Sequence, residues 1–134
     1  MRVQTVGKTF NPAIFNSIPK SDGLGLFKKT GEPEYVKVKE ILGYSNEDIS
    51  VATGVSFGSV RFDGKVPAEL TERVTEWATA IALVHTFFND RTKTILWFKV
   101  SNPMLGNVAP RDMIKVGRFK KLLKFIQTAL EEGR

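Results

Sequence analysis

A chain of 134 residues, 42% hydrophobic and 25% charged, carries enough apolar material for one core, or for two small helical lobes sharing a core. It has no cysteine and one histidine, which excludes disulfides, thiolate metal sites and any histidine-cluster metal site within one chain. The net charge of +6 suggests an anionic partner, and it is unevenly placed: residues 1–44 carry +3, residues 45–65 carry −1, residues 66–110 balance, and residues 111–134 carry +4.

No apolar run approaches membrane-spanning length, and the opening M-R-V-Q-T-V-G-K lacks the apolar stretch of a secretory signal, so a cytoplasmic location is expected. Residues 1–20, with Gly7, Pro12, Pro19 and no helical period, read as an irregular N-terminal arm. Ser21-Asp22 offer an N-cap for a short helix with Leu24, Leu26 and Phe27 on its apolar face, stopped near Gly31. Pro33 opens a second helix, in which Tyr35, Val38, Ile41 and Leu42 share a face and Gly43 closes.

Ser45-Asn46-Glu47-Asp48 has the form of a capping box, with acidic residues where the helix dipole favours them. The helix it starts runs to Thr53, Gly54 permits a tight turn, and Ser56 caps a second short helix through Phe62. The string N-E-D-I-S-V-A-T-G-V-S-F-G-S-V-R is therefore a helix-turn-helix pattern. After a turn at residues 63–65, Pro67 opens a long helix. Leu70, Val74, Trp77, Ile81, Val84 and Phe88 form a continuous seam along it, and Asn89-Asp90 ends it. Residues 92–99 form a further helix, and Pro110 to Val116 another. After Gly117 comes an amphipathic helix, with Phe119, Leu122, Leu123, Ile126 and Leu130 on one face and Arg118, Lys120, Lys121 and Lys124 on the rest. No segment alternates convincingly as a β-strand. The predicted fold is all-α: a helix-turn-helix unit (21–66), a connecting long helix (67–91) and a small C-terminal helical lobe (92–134).

Within the helix-turn-helix, Ser56, Phe57, Ser59 and Arg61 occupy the start and exposed side of the recognition helix and are the candidate DNA contacts. The local charge of −1 argues the other way, because phosphate contacts supply much of DNA affinity. Gly58 also weakens that helix by about 1 kcal/mol relative to alanine. His85 has no nucleophile or carboxylate at a catalytic spacing, and Trp77 and Trp97 read as packing residues. The glycines of G-V-S-F-G-S lack the lysine a phosphate loop needs, so neither an enzyme nor a cofactor site is expected.

The most distinctive segment is W-F-K-V-S-N-P-M-L-G-N-V-A-P-R-D-M-I, Trp97 to Ile114. Together with the helix-turn-helix pattern it resembles the Xre/MbcA/ParS-type antitoxin family, over residues 21–134. Trp97-Phe98, Asn102, Leu105-Gly106, Pro110 and the terminal Glu132-Gly133 fall in the family's order. Ser101, Asn107 and Ala109 depart from its usual proline, second glycine and threonine. The resemblance implies a toxin-binding C-terminal domain whose partner is a RES-domain, NAD-consuming toxin, and repression of the protein's own operon through DNA. It also implies no cofactor in this chain. On it rest the candidate toxin contacts Asn102, Leu105, Arg118, Lys121, Glu132, Gly133 and Arg134, while a homodimer through the helix-turn-helix half is expected from the two-fold operators such units read. The alternative reading is a free-standing transcriptional regulator whose C-terminal lobe serves only to oligomerise.

Overall fold

The seam along residues 70–88 is the axis of the fold. The computed structural model describes residues 22–133, so the N-terminal arm, Ser21 and Arg134 lie outside it. Among the described residues the regular structure is helical: α1 (Tyr35–Leu42), α2 (Asn46–Thr53), α3 (Ala68–Phe88), α4 (Arg91–Lys99), α5 (Pro110–Lys115) and α6 (Phe119–Glu132), with single 3-10 turns at Phe57–Ser59 and Pro103–Leu105. The all-α class read from the sequence is the class observed. None of these helices is long and apolar enough to cross a membrane.

Leu70, Val74, Trp77, Ile81 and Val84 of α3 are buried, and Phe88 is partly buried at its end. Around them close Val38, Ile41 and Leu42 of α1, Ile49 of α2, Phe98 of α4, Met113 and Ile114 of α5, and Leu122, Leu123 and Ile126 of α6. These form a single cluster, so the helices before and after α3 share one core rather than hanging from a connecting rod. The short helices depend on this. Eight residues of isolated helix are marginal in water, whereas each fully buried Leu, Ile or Phe contributes about 1.5–3 kcal/mol.

The helix ends obey the punctuation of the sequence. Asp48 N–H donates to Ser45 Oγ at 3.0 Å and Ser45 N–H donates to Asp48 Oδ2 at 2.9 Å, so the capping box at α2 is complete. Asp90 caps α4 by accepting from Lys93 N–H at 2.8 Å. Asn89 closes α3 in the left-handed region at φ 51, which asparagine tolerates better than most residues.

Two expected helices do not form. Residues 22–31 make a turn and a short loop instead: Asp22 Oδ2 accepts from Phe27 N–H at 2.8 Å, and Phe27 pairs with Pro33 in an isolated β-bridge. Gly23 and Gly25 each cost a helix about 1 kcal/mol, and Gly25 adopts φ +66, which a helix cannot use. Leu26 still reaches the core, fully buried. Pro33 consequently sits in that bridge, ahead of α1, rather than within a helix. The second loss is the recognition helix. Ser56 to Phe62 supplies only the 3-10 turn Phe57–Ser59, and then extended backbone at Val60. Gly58 disfavours a helix there, and Val60 is the only residue of that stretch buried in the core, so no apolar stripe compensates.

Candidate partner-binding surface

The segment between α4 and α5 is built around Asn102. Its side-chain Oδ1 accepts from Met104 N–H at 2.9 Å, and its carbonyl accepts from Leu105 and Asn107 N–H, both at 2.9 Å. Its own N–H donates to the Val108 carbonyl at 3.2 Å, closing an isolated bridge. Gly106 at φ 78 and Asn107 at φ 63 take the left-handed conformations this closure requires. Ala109 then precedes Pro110 in the extended conformation of an N-cap but makes no side-chain capping bond. One consequence is that Met104 is held outward, 76% exposed.

Gly117, at φ 84, turns the chain from α5 into α6. Between that corner and the Asn102 turn lies a groove of about 500 Å³, lined by Met104, Leu105, Gly106, Met113, Arg118, Lys121, Lys124, Phe125 and Thr128. Residues 118, 121, 124, 125 and 128 recur every three or four positions and lie along one side of α6, a stripe of roughly 15 Å at 1.5 Å per residue. Three cations thus border methionine, leucine and phenylalanine, with no carboxylate in the lining among the described residues. A second, apolar groove of about 180 Å³ flanks the other side of α6, between Val84, Phe87, Phe88, Trp97, Asn102, Phe125, Ile126, Ala129 and Leu130. Phe125 belongs to both. Phe87 is 58% exposed at the edge of the second groove, and a Cβ on Gly133 would lie 3.2 Å from its ring.

The charges of α6 oppose its dipole. Lys120 and Lys121 stand in the first turn, with no acidic residue there, and Glu131 and Glu132 stand in the last, with no basic one. Each such placement costs about 0.3–1 kcal/mol at an exposed site. Stability alone would select the opposite arrangement.

Of the predicted contact residues, Leu105, Arg118 and Lys121 come together in the basic groove. Asn102 lines the apolar groove while knitting the turn, and Glu132 and Gly133 lie at the end of α6 beside it. Arg134 falls outside the described residues. Sequence reasoning did not single out Met104 or Phe125. Phe125 could have been found from Lys121 by the i, i+4 rule, but nothing in the spacing marks Met104 as exposed.

The predicted DNA contacts lie on the loop before α3. Ser56 Oγ donates to Ser59 Oγ at 3.0 Å, Phe57 is 62% exposed, and Arg61 is exposed after the turn. His85 bonds Thr94 Oγ1 through Nδ1 at 3.2 Å, and the Thr94 hydroxyl donates to the Asp90 carbonyl, so His85 ties α3 to α4. Trp77 is core, as expected, and packs edge-on against Tyr44.

A latch between α5 and the α1–α2 corner holds the surface in place, and no spacing in the sequence signals it. Arg111 donates from Nη1 to the Leu42 carbonyl at 3.0 Å, satisfying an end of α1, and its own carbonyl accepts from the Tyr44 hydroxyl. Lys115 Nζ lies 2.7 Å from Asp48 Oδ1. Burial pushes the Tyr44 hydroxyl well above its usual titration range. The Lys115 ammonium, with the Ser45 capping bonds, lowers the Asp48 carboxyl to about 2.

No family model matches this chain, and no curated protein matches it. Among solved structures, it is similar to a chain in the crystal structure of the M. tuberculosis MbcT–MbcA toxin–antitoxin complex. The identity is 22%, the TM-score 0.47, and the alignment covers 74% of this chain and 91% of that one.

Proposed function

We propose that this protein is the antitoxin of a toxin–antitoxin pair and that the face formed by α6 and the Asn102 turn binds the toxin. The family resemblance of the Trp97–Ile114 segment motivates the class, and by it the partner is a RES-type, NAD-consuming enzyme. One observation carries the placement. Leu105, Arg118 and Lys121, chosen from sequence, border one open groove on a helix whose charges are arranged against its own stability. A surface that gives up folding energy and is left uncovered by the described residues is a surface selected for something other than folding.

Toxin neutralisation needs no chemistry from this chain. It requires only that a rigid face cover the partner's active-site cleft, and the turn–helix corner is rigid because Asn102 ties Met104, Leu105, Asn107 and Val108 together. Repression of an operon is a separable activity. A three-residue 3-10 turn in place of the recognition helix leaves it without the element that normally enters the major groove.

The test is co-expression with a toxin gene adjacent to this one. Growth rescue and a co-purified complex are expected; the absence of both would refute the reading. Mobility shifts on the upstream DNA test the separable activity: tight binding abolished by Arg61→Ala would support the DNA contacts read from the sequence, and only together with the absence of any toxin complex would it favour the free-standing regulator.

A further inference from the structure

The two grooves beside α6 differ in chemistry, and the difference runs along the helix. The N-terminal half presents Arg118, Lys121 and Lys124 over Met104. The C-terminal half presents Ala129 and Leu130 toward Trp97 and Phe87, with Glu131 and Glu132 exposed beyond them. Phe125 joins the halves.

We propose that the two grooves, which meet at Phe125, take a single segment of a partner protein that is acidic at one end and apolar at the other, crossing α6 at Phe125 and seated in one direction only. This rests on the reading of the face as a protein-binding site, and names the chemistry of what it binds. The direction comes from charge. Carboxylates over Arg118, Lys121 and Lys124 compensate the cations that oppose the helix dipole, and they also meet its positive end. At the other end Glu131 and Glu132 repel acidic residues, while the apolar groove of about 180 Å³ has room for one or two large side chains. From residue 118 to residue 130 the helix rises roughly 18 Å, spanned by a little over three turns of helix or by about five to six extended residues, so a short linear segment suffices. Nucleic acid satisfies only half of this surface. A phosphate backbone matches the cations but has nothing to fill the cleft between Trp97, Phe88 and Leu130.

The experiment pans a displayed library of random 16-residue peptides on the whole chain. The enriched peptides are then measured against wild type, Lys121→Glu/Lys124→Glu and Phe125→Ala, with a random-sequence 20-base-pair DNA duplex as a competing probe. Lys121 and Lys124 are exposed, so the charge-reversed variant should remain folded, and circular dichroism checks this. The expected peptides carry a cluster of Asp or Glu separated from a cluster of aromatic or aliphatic residues. Each variant should weaken them about tenfold or more, with the charge-dependent part falling as salt is raised. Failure to enrich any peptide, enrichment of peptides without acidic residues, or binding unchanged by the charge reversal would each overturn the proposal. So would tighter binding of the duplex than of any peptide, lost in the same variants. A toxin that co-purifies undisturbed by both variants removes this inference and leaves the antitoxin reading standing. Acidic–apolar peptides that bind as expected, with no toxin rescued, do the reverse.

Discussion

Residues 45–62 and residues 90–132 begin alike: each has a capped helix, a turn with glycine in the left-handed region, and a predicted second helix. In the first region that second helix shrinks to a three-residue 3-10 turn, while in the second α5 and the fourteen-residue α6 form in full. The turn chemistry is sound in both, with Gly54 at φ 80 and Gly106 at φ 78. The two regions part company beyond their turns. Phe119, Leu122, Leu123 and Ile126 give α6 a buried stripe at helical spacing, whereas Phe57, Gly58, Ser59 and Arg61 are exposed. A turn signal positions a helix, but a helix of this length persists only when a face of it is buried.

The strongest challenge to this contrast is whether the two regions stand or fall together. Phe98 is fully buried in the shared cluster, so Phe98→Ala should cost about 3–5 kcal/mol in urea-induced unfolding, in one cooperative transition. Hydrogen exchange that leaves α1 and α2 protected while α5 and α6 open would instead show two independent lobes. The latch is the next largest link. Tyr44→Phe leaves the Arg111 carbonyl without its buried donor, and about 1–3 kcal/mol of stability should be lost, again by urea denaturation.

A smaller effect concerns the Asp48–Lys115 pair. Because folding lowers the Asp48 carboxyl from its ordinary 3.8 to about 2, its contribution is present in full above about pH 4 and is lost as pH falls toward 2. Solvent screening at this partly exposed pair keeps the effect small. Wild type should therefore lose stability more steeply between about pH 4 and pH 2 than Asp48→Asn; parallel pH profiles would count against the latch. The weakest effect has the opposite sign. Lys121→Glu puts an acid in the first turn of α6 and should raise stability by about 0.3–1 kcal/mol, read as a rise of a few degrees in Tm. A fall in Tm would mean that Lys121 serves the fold, and that its unfavourable placement says nothing about binding.

Much was legible in residue order because it depends on local chemistry. The all-α class, the seam of α3 and the Ser45 box all come from short-range spacing and backbone preference. The missed loop at 22–31 shows where local reading weighed apolar spacing above the cost of two glycines. Of the candidate surface, Leu105, Arg118 and Lys121 were named through the family resemblance, although their meeting in one groove was not legible there.

The relations across long sequence separations belong to the packed fold alone. Arg111 finds the end of α1 sixty-nine residues away, Tyr44 finds the Arg111 carbonyl, and Asp48 finds Lys115. Met104 is held outward, and Phe125 becomes the one residue shared by a basic groove and an apolar one. Spacing along a chain determines which residues share a face. Which face is covered, and what lies beside it, is settled only when distant helices compete for the same core.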